Sequence, residues 1–281
     1  MFAVTGASGQ LGRLVLDALI ERIDARQIVA LVRDPAKMVD YADRGVVVRR
    51  FDYADPASLV PALDGVDRLL LISGNELGQR VPQHRGVIEA AKAAGIGFLA
   101  YTSILHADTS PIGLAGEHRE TEALIAASGL SHALLRNGWY NENYTAGAVP
   151  AVEHGAVLGS SGTGRISAAA RADYAAAAAA ILIAGSAGVF ELAGDDAFTL
   201  SDFAGFLADA SGKPVVYRDM LEADYRAALE QVGLPAPLAA MLADSSAQAS
   251  TDTLFDDGGV LGRLIGRPTL PMKVSVAAAL G

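Results

Sequence analysis

Val4-Thr5-Gly6-Ala7-Ser8-Gly9-Gln10-Leu11-Gly12 places three glycines three residues apart, after an apolar run beginning at Phe2 and before an amphipathic stretch. Leu11, Val15, Ala18, Leu19 and Ile23 recur at helical spacing, with Asp17 and Glu21 on the opposite side. The stretch therefore reads as strand, glycine turn, helix. In such a turn Gly6 supplies the backbone angles, Gly9 lets peptide N–H groups approach a diphosphate, and Gly12 allows close packing of the helix on the strand. The helix start offers unpaired N–H donors and partial positive charge to phosphate. A dinucleotide is the expected ligand.

The same alternation continues outward. Strands are predicted at Phe2–Thr5, Ile28–Val32, Val46–Phe51, Arg68–Ser73, Gly97–Ser103 and His132–Arg136, with crossover helices at Ala57–Leu63, Gln83–Ala94 and Arg119–Ala127. Short apolar strands alternating with helices imply a doubly wound parallel sheet with its ligand at the carboxyl edge. After about Pro150 the rhythm changes. Gly155–Ala170 is rich in Gly, Ser and Ala, Tyr174–Ile183 is an alanine-dominated helix, Gly188–Leu192 returns as a strand, and Thr199-Leu-Ser-Asp202 reads as a capped helix start. The expected division is a nucleotide-binding domain over residues 1–150, with returning segments around 155–195, and a smaller, mainly helical lobe over 196–281.

The end of the second strand reads Ala30-Leu-Val-Arg33-Asp34. An acidic residue in first place would bond a ribose 2′-hydroxyl, as in NAD binders. Arginine there grips a 2′-phosphate, a charge-assisted contact of roughly 1.5–3 kcal/mol. NADPH is therefore expected, the alternative being a solvated arginine with Asp34 as its partner or as the acidic residue itself, and Asp52 is expected near the adenine or in an exposed loop. The next strand ends, Ser73-Gly-Asn75, Tyr101-Thr-Ser103 and Asn137-Gly-Trp-Tyr140, should converge on the nicotinamide, with Trp139, Tyr140 and Tyr144 either an aromatic wall or core.

Composition removes several classes. The 281 residues are 51 % apolar, and a net charge of −10 repels nucleic acid and anionic lipid. No cysteine is present, which excludes disulfides, thiolate metal sites and thiol nucleophiles, and the five histidines are scattered without metal-ligand spacing. No metal is expected. No basic and apolar leader precedes Phe2, and no run of roughly 18 apolar residues occurs, so a cytoplasmic protein without a membrane partner is expected.

Taken together, Thr5 to Gly12, Leu69-Leu-Leu-Ile-Ser73, Gln83-His84-Arg85, Ala100-Tyr-Thr-Ser103, Leu105-His-Ala-Asp-Thr-Ser-Pro111, Leu135-Arg-Asn-Gly-Trp-Tyr140, Arg171-Ala-Asp-Tyr174 and Phe255-Asp-Asp257 resemble the NmrA-like group of atypical short-chain dehydrogenases/reductases. Within that group the chain most closely resembles the type 2 NADPH:quinone oxidoreductases. The resemblance spans nearly the whole length and implies an α/β fold, a Rossmann-type doubly wound parallel sheet with a smaller C-terminal α/β substrate lobe. It further implies a cytoplasmic enzyme passing hydride from NADPH to a quinone. The cofactor would be held by Gly6, Ala7, Ser8, Gly9, Gln10 and Leu11, by Arg33, by Ser73, Gly74 and Asn75, by the run Asn137, Gly138, Trp139, Tyr140, Asn141 and Glu142, and by Arg171. His118, Tyr101, Trp139 and Tyr140 are expected at the chemistry. The expected partner is a small-molecule quinone, with a homodimer left open.

One departure from the wider superfamily bears on substrate. None of the eight tyrosines has a lysine four residues on, and His118 takes the lysine's place. Hydride attack on a ketone makes a strongly basic alkoxide that needs an acid, whereas a quinone gives a weakly basic hydroquinone anion that does not. Quinones are thus favoured, with direct transfer and no flavin. His118, with a pKa expected near neutrality, would bind ribose or donate a proton, or else be an ordinary surface histidine. The alternative function is a non-catalytic NADP(H)-sensing NmrA-like regulator, for which the missing pair is equally expected.

Overall fold

The computed structural model describes residues 1–76 and 78–281, which fall into two compact units. The first comprises Met1–Ala107, Glu117–Asn137 and Ala172–Phe190, the second Asp108–Gly116, Gly138–Arg171 and Glu191–Gly281. The first long segment of the second unit thus starts at Gly138, and the short segment Asp108–Gly116 belongs to that unit as well. The alanine helix predicted at Tyr174–Ile183 belongs to the first unit because its apolar face is needed there: Tyr174, Ala175, Ala177, Ala178, Ala179, Ile181 and Leu182 are all buried.

The chain order in the first half is β1 (Phe2–Val4), α1 (Gln10–Ile20), β2 (Ile28–Val32), α2 (Val39–Asp43), β3 (Val47–Arg50), α3 (Pro56–Ala62), β4 (Arg68–Leu71), α4 (Arg80–Ala93), β5 (Phe98–Ile104), α5 (Ala115–Ala127) and β6 (Ser131–Asn137). It continues through α6 (Asn141–Thr145), α7 (Ala148–His154), β7 (Ala156–Gly159), α8 (Arg171–Ala184), β8 (Gly188–Leu192), α9 (Leu200–Ser211) and β9 (Val216–Asp219). Four helices end it: α10 (Glu222–Gln231), α11 (Ala236–Ala249), α12 (Val260–Ile265) and α13 (Met272–Leu280).

Seven strands form one sheet in the order β3-β2-β1-β4-β5-β6-β8. β1 pairs in parallel with β2 and with β4, so the winding reverses between β1 and β4. Crossovers on either side of that point leave a crevice at the carboxyl ends of the strands. Every residue of β2 and of β5 is buried, which is why β2 reads as an unbroken apolar run and β5 as one interrupted only by Thr102 and Ser103. The core between strands and helices is built from Val29, Leu31, Leu69, Leu71, Leu99 and Tyr101 with Leu59, Val87, Ile88 and Ile125.

In the second unit β7 and β9 pair in parallel, Ala156 opposite Val216 through Gly159 opposite Asp219. The small lobe therefore carries strand as well as helix. Neither strand is legible in the sequence, because each has four residues and β9 is largely exposed. The cap expected at Thr199 is present as a reciprocal pair with Asp202.

Candidate functional site

Gly9, the residue before α1, has no side chain to cap the helix, and the first-turn amides of Gln10, Leu11 and Gly12 have no acceptor among the described residues. Gly6 holds φ +57°, a left-handed conformation that costs glycine least. A Cβ on Gly12 would lie 2.4 Å from the Gly6 carbonyl oxygen and 2.7 Å from the Ala7 Cα. Gly12 is therefore required by the turn itself; strand packing, the sequence reading, is not where the conflict lies.

A cavity of about 300 Å³ opens over this helix start. Its wall takes Gly6, Ser8, Gly9, Gln10 and Leu11 from the turn, Arg33 from the end of β2, Asp52 and Tyr53 after β3, and Ser73, Gly74, Asn75 and Glu76 after β4, with Gln83 of α4. These are the strand ends flanking the reversal of winding. Of the expected cofactor residues, Gly6, Ser8, Gly9, Gln10, Leu11, Arg33, Ser73, Gly74 and Asn75 thus meet in one place. Ala7 is fully buried beneath the turn, its amide donating to the Leu31 carbonyl. Asp34 caps the short 3-10 turn Pro35–Met38 by accepting the Ala36 amide, and it is absent from the wall.

The loop after β4 is held from beneath. Gly74 donates its N–H to His84 Nε2 at 3.0 Å, and its carbonyl accepts from Arg80 Nε at 2.9 Å. Since Nε2 accepts, the ring proton sits on Nδ1, facing Thr121 Oγ1 at 3.1 Å, and Thr121 donates onward to the Glu117 carbonyl at 2.9 Å. Arg80 is buried and paired with Glu117 at 2.6 Å. Tyr53 lies beside the same loop, its hydroxyl 3.0 Å from the Ile72 carbonyl and 2.6 Å from Thr5 Oγ1. Sequence reasoning assigns roles to none of Arg80, His84, Thr121 or Tyr53: the first three lie on weakly amphipathic helices and Tyr53 in a turn, so no periodic pattern marks them.

His118 is 4 % exposed, not a surface histidine, and its Nδ1 lies 2.8 Å from the hydroxyl of fully buried Tyr101. Burial pulls His118 down to about 3, with the Arg80 guanidinium adding to the shift, in place of the near-neutral value expected. His84 is pulled to about 3 for the same two reasons, and burial pushes the Tyr101 phenol up. At neutral pH both imidazoles are uncharged and the phenol is protonated. Tyr101 sits in the core and is absent from the cavity wall.

The remaining expected residues do not line this cavity. Asn137 is buried at the end of β6 with its Oδ1 unpaired among the described residues. In the second unit Gly138 donates to the Leu192 carbonyl and Tyr140 lies under the Arg171 guanidinium, 4.8 Å from ring centroid to Cζ. Asn141 is fully buried and donates to the Leu270 carbonyl and Ser275 Oγ. The Glu142 carboxylate accepts the Arg171 amide at 3.0 Å, neutralising the start of α8. Trp139 is half-buried, and its carbonyl accepts from the Ala169 amide. Tyr144 packs edge-on against Phe198 and beside Phe203, an aromatic cluster of this unit.

No group of His, Asp and Glu with metal-holding geometry occurs among the described residues, and no described helix is long and apolar enough to cross a membrane. The bare amides, the left-handed glycine and the arginine at the end of β2 suit a 2′-phosphorylated dinucleotide in both shape and charge.

Comparison with known proteins agrees with this geometry. The family described as NAD(P)H-binding matches residues 6–183. The chain is 57 % identical over 279 residues to quinone oxidoreductase 2 of Escherichia coli (strain K12), covering 99 % of this chain and 98 % of that one. The structure matches the crystal structure of the NADPH-dependent E. coli quinone oxidoreductase complexed with NADPH at a TM-score of 0.98, with 55 % identity and full coverage of both chains. It also matches Citrobacter sp. triphenylmethane reductase complexed with NADP(H) at a TM-score of 0.94, with 34 % identity, over 99 % of this chain and 100 % of that one. The chain belongs to the NAD(P)H-binding, NmrA-like family of oxidoreductases.

Proposed function

We propose that this protein is an NADPH:quinone oxidoreductase that reduces its quinone directly, without a flavin. The observation that carries the reading is the cavity in which the uncapped start of α1 and the Arg33 guanidinium face one space. Identity of 57 % to a named quinone oxidoreductase over nearly the whole chain supports the substrate class.

When bound, NADPH supplies the hydride that reduces the quinone. The amides of Gln10, Leu11 and Gly12 hold the diphosphate, as helix starts do for anions. Arg33, at the mouth of β2, pairs with the 2′-phosphate. Ser73 and Asn75 line the cavity from the loop after β4, while both peptide groups of Gly74 are bonded inward, to His84 and Arg80.

His118 and Tyr101 offer no readily released proton at neutral pH, the first being uncharged and the second a phenol made less acidic by burial. A ketone would require such an acid; a quinone is reduced to a stabilised anion that can take its proton from bulk water after leaving the site. The protein's part is orientation and exclusion of water. A cytoplasmic location, where NADPH is kept reduced, follows from this reading, and the net charge of −10 sets phosphate polymers aside as partners.

The test is rapid mixing of flavin-free protein with NADPH and a benzoquinone. Turnover well above the uncatalysed rate is expected, and its absence overturns the reading. Arg33→Ala should weaken NADPH about ten- to a hundredfold and leave NADH nearly unchanged.

A further inference from the structure

Arg33 already has one partner. Its Nη1 lies 3.5 Å from Glu76 Oε1, and no other acceptor for its guanidinium occurs among the described residues. The other carboxylate oxygen of Glu76 accepts from Gln83 Nε2 at 2.8 Å. Glu76 thus spans from the end of β2 to α4, each oxygen committed to a different donor, and all three side chains belong to residues of the cavity wall. Arg33 is 71 % exposed and Glu76 49 %, so both charges are open to a ligand.

We propose that Glu76 is a specificity-determining residue that restrains the preference for NADPH over NADH. The inference rests on the reading of Arg33 as the 2′-phosphate ligand. A 2′-phosphate carries between one and two negative charges and seeks the same guanidinium that Glu76 occupies. A fixed carboxylate beside that position repels it and competes for Arg33. Toward NADH the same carboxylate acts oppositely, because an oriented acceptor suits a 2′-hydroxyl, the task an acid at the end of the second strand performs in NAD-binding folds. Here that acid arrives from the loop after β4, and Gln83 keeps it in place when the guanidinium turns to phosphate.

The experiment compares the NADPH:NADH ratio of kcat/KM, with one benzoquinone, for the wild type, Glu76→Gln, Glu76→Asp and Arg33→Ala. Glu76→Gln is nearly isosteric on an exposed loop, and unchanged thermal melting establishes that it is folded. Its ratio should rise about fivefold at low salt, the size expected of one unit charge several ångströms from a phosphate at a protein surface. The rise should come from a lower KM for NADPH at constant kcat and shrink as ionic strength increases. Glu76→Asp, which keeps the charge, should stay near the wild-type ratio. If Arg33→Ala lowers the ratio while Glu76→Gln leaves it unchanged or lowers it, the inference fails and the reading of Arg33 stands. If Arg33→Ala leaves the ratio unchanged, both are overturned.

Discussion

The amide of Gly74 donates to the Nε2 of His84, 3.0 Å away, so a histidine on the inward side of α4 sets the backbone of a loop that lines the cavity. Arg80 donates to the carbonyl of the same residue at 2.9 Å, which fixes the two peptide groups on either side of the Gly74 Cα. A loop held this way loses little freedom when ligand binds. The cost of ordering it is met in folding.

Replacing His84 with Phe removes the acceptor and leaves the Gly74 N–H unpaired. KM for NADPH and NADH should rise together by about five- to tenfold, with kcat within about twofold, as one lost hydrogen bond would give. His84→Gln, whose Oε1 can accept, should recover part of the loss. Steady-state kinetics decide it: an unchanged KM alongside lower stability would make the bond a matter of folding alone.

A methyl group at position 12 has nowhere to go, because it would meet the Gly6 carbonyl at 2.4 Å. Gly12→Ala should open the turn and misplace the amides of Gln10 and Leu11. At a ligand concentration a hundred times the wild-type Kd, NADPH should stabilise the wild type by about 2.7 kcal/mol and the variant by far less. Calorimetric melting with and without NADPH reads the difference directly.

His84 and His118 should make the protein acid-sensitive. Both have folded pKa values near 3, below the usual 6.5, so between those limits the unfolded chain takes up protons that the folded chain refuses. Their contribution to stability is complete above pH 6.5 and is lost as pH falls toward 3, at about 1.4 kcal/mol per pH unit for each histidine. His118→Gln should reduce the slope between pH 6 and 4 by about one proton. Denaturant titrations across that range would show an undiminished slope if the ring were already charged in the native state.

Glu122 and Arg136 form a buried pair, Oε2 to Nη2 at 2.8 Å, with Ser103 Oγ donating to the other oxygen at 2.5 Å. Glu122→Gln removes the carboxylate charge that faces the Arg136 guanidinium in the interior, and the loss should be about 3–5 kcal/mol by urea unfolding. A loss under 1 kcal/mol would mean that water reaches the charge.

Much of the first unit is legible in the chain itself. The pattern of apolar runs delimits β2 and β8 residue for residue, and β1, β3, β4, β5 and β6 to within two at either end. In β2, β4, β5 and β6 the runs are set by burial, which leaves a compositional mark, whereas β3 and β8 are partly exposed. The short strands β7 and β9 leave none. The glycine turn, Arg33 and the Ser73–Asn75 loop are recognisable as wall residues because their roles follow from backbone angles, charge and position at a strand end. The histidines escape for a different reason. Nothing in Gly116-Glu-His-Arg-Glu-Thr-Glu122 tells whether His118 faces water or Tyr101, and that orientation moves its pKa from near neutral to about 3.

The order of residues by itself determined a doubly wound nucleotide binder, since periodicity, glycine spacing and an arginine after the second strand are local properties of the chain. The tertiary structure alone decided that Glu76 meets Arg33 across 43 residues, that Gly74 rests on His84, and that His118 is uncharged. Electrostatic pairing and desolvation depend on distance in space and on exclusion of water, and neither quantity is written in sequence separation.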